Sequence, residues 1–385
     1  MRNASEVRYD GIIRRKPGTV DFLMVILVTL LTVFGVVMVF SASYYDSISE
    51  TGSPYSFFIN QAISAAIGMV VMLVLSKIPY QIFRRLAVPI TVIGLILLCL
   101  IFTPLGRSGG GATRAVYLGV MVMPGEIAKV VLIIFGAWYF SRDMKRAERF
   151  TGLLPFAIYT LLVVFLIYEQ PNLSTAITVA IIALGIAFFA GMQKRYLLLV
   201  LLVIAVGLLY LLFIDTSYQH DRIMCWFDPF KYELGIGYQV VQSLYAISTG
   251  GIFGKGLGMS VQKNLYLPEP QNDFILAIIG EELGFVGIML MLAVFLLLLW
   301  RIFRVAIEAK DNFGMLIAGG AGVMIGAQLV LNIAVVTSWA PPTGIALPFI
   351  SFGRNALWMC MGIMGIVLNI SRQTRPDPED VEEEE

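Results

Sequence analysis

Between Tyr266 and Gly287 the chain reads YLPEPQNDFILAIIGEELGFVG, which joins a polar loop to a membrane-length apolar run. Four carboxylates stand at that junction: Glu269, Asp273, Glu281 and Glu282. A carboxylate at the mouth of a hydrocarbon-embedded helix is costly unless it has a partner or a role. Pro270 ends any preceding helix, and Asn272 or Asp273 is expected to cap the next one. The dipole at a helix N-terminus favours the ionised acid. Asp273 is therefore suited to accept a proton or hold a cation rather than to donate a proton. Glu281 and Glu282, two turns deeper, are expected to be buried partners of Arg or Lys on other helices.

Four further stretches put polar groups against apolar ones. In GGGATRAVYLGVMVMPGEIAKV, residues 109–130, Arg114 stands just outside the bilayer. Glu126 and Lys129 follow it on one helical face at i, i+3; the pair suits a lock between helices as well as a substrate contact. YEQPNLSTA, residues 168–176, breaks a span at Pro171 and offers Asn172 as a cap. It reads either as a tight outer turn or as non-helical backbone lining a wet cavity. The loop from 215 to 272 carries Arg222, Gln239, Gln242, Ser243, Lys255 and Lys263 among glycines. Diphosphate oxygens want such charge-assisted donors, and lipid phosphates attract the same cations. His220 has no neighbours that would complete a triad and reads as a loop residue. In PPTGIALPFISFGRN, residues 341–355, Arg354 falls at or inside the membrane and needs an acidic or phosphate partner, or a path to the interface.

These groups need a scaffold, and composition names it. Of 385 residues, 58% are hydrophobic and 14% charged, against about 25% charged in soluble domains. Ten apolar runs are expected as spans, at about 20–43, 56–76, 86–104, 122–140, 153–168, 173–191, 196–214, 273–300, 314–337 and 346–370. Each is near the ~20 residues that cross a bilayer core of ~30 Å. The expected fold is an all-α polytopic membrane protein with ten transmembrane helices, a cytoplasmic tail 1–19, a membrane domain 20–370 with one large extracytoplasmic loop, 215–272, and an acidic cytoplasmic tail 371–385. Nineteen of the 27 Lys and Arg fall in segments then assigned to the inside, which puts both termini in the cytoplasm. A net charge of +1 gives no reason to expect a nucleic-acid partner. Cys99, Cys225 and Cys360 are too scattered for a disulfide framework or a zinc site.

The motifs resemble those of the SEDS proteins, the family of RodA, FtsW and SpoVE. The likeness runs from FGVVMVFSAS to LPFISFG and is most specific in GYQVVQSLYAISTGGIFGKGLGMSVQKNLYLPEPQNDF. It implies a ten-helix peptidoglycan glycosyltransferase of the bacterial cytoplasmic membrane. Such an enzyme polymerises lipid II, an undecaprenyl diphosphate-linked disaccharide peptide, beside a class B penicillin-binding protein transpeptidase. The family's essential aspartate falls on Asp273, its PSE-x-x-K motif on Glu126 and Lys129, and its loop arginines on Arg114 and Arg222. Gln239, Gln242, Ser243, Lys263 and Glu269 join these as expected substrate contacts. A divalent cation, Mg or Mn, at Asp273 is a further expectation. The chain departs from the family pattern at Ala115, Asn172, Gln271–Asn272 and Gly353–Ala356. A lipid II transporter and a non-catalytic scaffold of the cell-wall complex stand as alternatives.

Overall fold

A computed structural model describes residues 20–109, 112–200, 202 and 218–373. The tails 1–19 and 374–385, and most of the span expected at 196–214, lie outside the described residues. Among the described residues, six helices are long and apolar enough to cross a membrane. They are α1 (Phe22–Ala42), α3 (Ser56–Leu75), α6 (Pro124–Ser141), α7 (Phe150–Tyr168), α11 (Ile275–Ile307) and α12 (Asn312–Val336). The shorter apolar helices α5 (Ala87–Leu100) and α8 (Leu173–Phe189) match two more expected runs. The last helix, α13, begins only at Arg354 and ends at Gln373. Residues 345–353 enter it as irregular backbone, as the prolines and Gly344 of that stretch imply. Smaller helices complete the order: α2 (Tyr44–Thr51), α4 (Gln81–Arg85), α9 (Tyr218–Phe227) and α10 (Tyr238–Gly250).

The all-α expectation needs one correction. Residues Gly106–Gly109 (β1), Ala112–Tyr117 (β2) and Met121–Val122 (β3) form a three-stranded antiparallel sheet, with Gly106 opposite Val116 and Val116 opposite Val122. The segment is too short and glycine-rich for a helix, and its backbone groups satisfy one another by pairing between strands. This sheet leads directly into α6.

A second correction lies inside α11. At 33 residues it would run about 50 Å if straight, well beyond a bilayer core. It is broken at Gly284 (φ 67°, ψ −167°), a backbone conformation that glycine reaches without the Cβ clash of other residues. The break frees helical donors and acceptors, and the segment after α10 takes them up. Phe285 and Val286 donate N–H to the carbonyls of Gly251 and Ile252, while Lys255 and Gly256 donate to those of Glu281 and Glu282. The long loop is thereby threaded into the helix break.

That seam also explains Glu281 and Glu282, both fully buried. Glu281 accepts from Lys255 Nζ (2.7 Å), Ser260 Oγ and the N–H groups of Val261 and Gln262. Glu282 accepts from Lys263 Nζ (2.9 Å) and Ser41 Oγ (2.7 Å). Their partners are lysines, as the sequence suggested, but lysines of the loop and not of other helices. The kink turns the acids toward the loop.

At the opposite end of the bundle, Asp21 caps α1 through Met24 N–H and pairs with buried Arg301 of α11. Asp21 N–H also reaches Ser371 Oγ of α13 (3.2 Å). One acid thus joins three helices.

Candidate active site

Asp273 lies two residues before α11. The N-cap of that helix is Phe274, without a side-chain cap bond, so neither Asn272 nor Asp273 plays the expected capping role. Asn272 turns back instead, its Nδ2 donating to Glu269 Oε2 (2.8 Å). Asp273 is held by its main chain. Asn332, a buried polar residue of α12, donates through Nδ2 to the carbonyls of Asp273 (2.8 Å) and Ile345 (2.6 Å). This bridge lays the 345 segment against the acid so closely that a Cβ on Gly344 would overlap Asp273 Oδ2.

The carboxyl is half-buried, and its pKa is pushed up to about 6. Desolvation is the main cause. Glu269 raises it further, Arg114 opposes the shift, and Glu126 adds a smaller push upward. The helix dipole expected to keep the acid strongly ionised is therefore outweighed by burial.

Those charges bring together four separate segments. Arg114 projects from β2, exposed, and donates Nη2 to the carbonyl of Pro171 (2.7 Å), tying the sheet to the α7–α8 turn. Asn172 caps α8 by accepting from Thr175 N–H (3.3 Å), as its sequence position implies. Glu126 and Lys129 form an i, i+3 ion pair at 2.6 Å, with Lys129 buried. On α2, Asp46 bonds the side chain of Gln271, and burial raises its pKa as well. The site is a ring of acids and bases at one face of the bundle.

The other expected contacts have partners or exposure of their own. Lys263 is buried and committed to Glu282, Ser41 Oγ and the Gly258 carbonyl. Ser243 Oγ donates to the carbonyls of Val240 and Val336, joining α10 to α12. Gln239 on α10 is exposed and Gln242 half-buried. Arg222 lies half-buried on α9 beside Cys225. Arg354 is exposed at the first turn of α13. The side chain of His220 lies outside the described residues. Two positioning residues went unforeseen. Asn332 could have been found as the lone amide in the apolar run LVLNIAVV; Gly344 carried no comparable signal, since its role depends on where Asp273 points.

Among the described residues no set of three His, Cys, Asp or Glu side chains is gathered closely enough to hold a metal ion.

Fold and site together define a multi-pass helical membrane protein in which a carboxylate of raised pKa, Asp273, stands in the field of Arg114 where irregular backbone enters two helices. A family model described as "Cell cycle protein", that of FtsW, RodA and SpoVE, matches residues 21–376, and the chain belongs to that family. It is 37% identical over 361 residues to the "Probable peptidoglycan glycosyltransferase FtsW" of Geobacter sulfurreducens, covering 93% of this chain and 96% of the relative. It is 36% identical over 363 residues to the "Stage V sporulation protein E" of Bacillus subtilis, covering 94% and 99%. Among solved structures it is similar to the rod shape determining protein RodA of Thermus thermophilus, with a TM-score of 0.68, 25% identity and coverage of 92% and 97%. It also resembles a chain from a structure described as "Structural coordination of polymerization and crosslinking by a peptidoglycan synthase complex", with a TM-score of 0.78, 25% identity and coverage of 93% and 99%.

Proposed function

We propose that this chain is a peptidoglycan glycosyltransferase that polymerises lipid II at the outer face of the bacterial cytoplasmic membrane. The observation that carries the assignment of roles is the half-buried Asp273, with a pKa near 6, held beside Gly344 and facing Arg114. The acceptor sugar's hydroxyl transfers its proton to the Asp273 carboxylate as its oxygen bonds to the donor's anomeric carbon. The bond from that carbon to the lipid diphosphate breaks, and the electron pair leaves with the diphosphate. Base catalysis requires a carboxylate within hydrogen-bond reach of the hydroxyl, and its efficiency is greatest when the pKa approaches working pH. Arg114 is the accessible cation at the mouth, suited to meet the leaving diphosphate. Lys129, pinned to Glu126, is suited to set the field behind it; Arg222 is assigned to the outer approach. Gln239, Gln242 and Glu269 are assigned to sugar or peptide contacts. Lys263 and Ser243 act in this proposal by holding the loop and α10. A divalent cation, Mg or Mn, belongs with the diphosphate substrate, and no step depends on it.

The same reading takes in the coarser features. Ten spans, with both termini in the cytoplasm, put Asp273 at the outer face and are supported by the distribution of Lys and Arg. A single-pass class B penicillin-binding protein is the proposed partner, supported by the likeness to the synthase-complex chain.

Polymerisation of labelled lipid II by purified protein in detergent, where there are no two sides to transport between, tests the proposal. Wild type should make glycan strands, and Asp273→Asn should lose at least about a hundredfold in rate, the usual worth of a general base. Near-normal synthesis by that variant would remove Asp273 from the chemistry. No synthesis by wild type with its transpeptidase partner would favour transport or scaffolding.

A further inference from the structure

The end of α6 farthest from the candidate site borders a pocket that the glycosyl-transfer reading leaves unused. Ser141 lies 15 residues beyond Glu126 along the helix, about 22 Å away. Around it, Tyr139, Lys145, Arg146, Arg149 and Thr151, with Asp143, line a pocket of ≈ 430 Å³. Its wall is built, not incidental. Arg146 Nη1 donates to the carbonyl of Tyr139 (3.1 Å) and its guanidinium sits 4.9 Å over the Tyr139 ring, while Tyr139 Oη donates to the carbonyl of Gly152 (2.8 Å). Arg142 stacks at 4.0 Å over Trp138 alongside. The one acid in the lining, Asp143, accepts from Lys145 N–H (3.1 Å), which leaves three cations against one carboxylate.

We propose that this pocket binds the phosphate of an anionic membrane phospholipid. Three cations and a hydroxyl facing one cavity suit phosphate oxygens. The first turn of α7, which opens into the same pocket, has no acidic residue and no side-chain cap, so its N–H groups add to the positive side of the balance. The apolar surface below decides between a lipid and a free phosphate. Phe150, Leu154 and Ile158 are all exposed and recur at i, i+4 and i+8, one stripe down α7 from the pocket's rim. A headgroup in the pocket therefore lays its acyl chains along that stripe, whereas a free anion has no use for it. Basic pockets at helix ends on the inner leaflet side are the usual places for such headgroups.

Native mass spectrometry of the protein released from nanodiscs of phosphatidylglycerol and phosphatidylcholine tests the site. Wild type should retain phosphatidylglycerol over phosphatidylcholine. Lys145→Gln with Arg149→Gln should lower that retention about fivefold for each charge removed, with melting temperature and glycan polymerisation in detergent unchanged. Arg84→Gln with Arg85→Gln removes two exposed cations on α4 as a control and should leave retention intact. Equal loss in both pairs would mean general surface attraction and would overturn the pocket. Displacement of the lipid by millimolar inorganic phosphate would overturn the lipid assignment in favour of a free-phosphate site. Loss of preference after Leu154→Ser alone would support the acyl track.

Discussion

Asp273 carries a pH dependence whose sign follows from its burial. Its pKa, pushed up to about 6, lies above the ~3.9 of a free aspartate. In the proposed role of base it must be ionised, so kcat/KM should be level above about pH 7 and fall roughly tenfold for each pH unit below 6. Arg114→Gln removes the cation that opposes the shift, and the profile should then move to higher pH. A profile that stays put would separate Arg114 from the acid. The raised pKa also means that the folded state binds this proton more tightly than the unfolded chain, so the ionised group weakens folding at neutral pH. Asp273→Asn should therefore keep or raise the melting temperature while losing activity. At this scale the sequence was partly legible. Asp273, Arg114, Glu126 and Lys129 could be picked out because polar residues in apolar context are costly. Lys263 and Ser243 carried the same signal for a different reason, since burial demands partners whether or not chemistry follows. Spacing alone does not distinguish the two.

Two elements position the acid, and each can be tried separately. Asn332 fixes the carbonyls of Asp273 and Ile345 from α12. Asn332→Leu keeps the volume but orphans both carbonyls, at about 1–3 kcal/mol each, and frees the 345 segment to drift. Misplacement of a catalytic group by ~1 Å can cost about a hundredfold, so kcat should fall between ten- and a hundredfold while KM changes little. A loss confined to KM would assign Asn332 to substrate binding. The second element is the break in α11. Gly284→Ala puts a Cβ where φ is 67° and against the Ile252 carbonyl (2.6 Å), so the seam with residues 251–256 should open. Limited proteolysis should then cut faster between Gly250 and Lys263, an exposed segment whose backbone the intact seam ties down. Helix lengths were readable from apolar runs; this break was not, because GEELG fits an unbroken helix pattern and the kink exists only through what the loop supplies.

Across the whole molecule, two buried ion pairs sit at opposite ends of the bundle and divide stability from activity. Lys263–Glu282 closes the seam behind the candidate site, and Asp21–Arg301 joins α1, α11 and α13 at the far end. The span pattern foretold α1 and α11 but not the pairs, since the partners lie 19 and 280 residues apart in sequence. Removing one member of a buried pair leaves an uncompensated charge and costs about 3–5 kcal/mol, whereas replacing both by apolar groups of similar size is often nearly neutral. Lys263→Met and Arg301→Met should thus each lower the melting temperature, and the double changes Lys263→Met with Glu282→Leu, and Arg301→Met with Asp21→Asn, should each recover much of the loss. Activity should separate them. The loop held by Lys263 runs within ten residues of Asp273, so its single variant should lose polymerisation along with stability, and the double should regain both only if loop position is restored. Arg301→Met, a bilayer away from the acid, should keep kcat at temperatures where the protein stays folded. A fall in kcat for Arg301→Met below its melting range would mean that the two faces are coupled through α11 and that the Gly284 break does not insulate them.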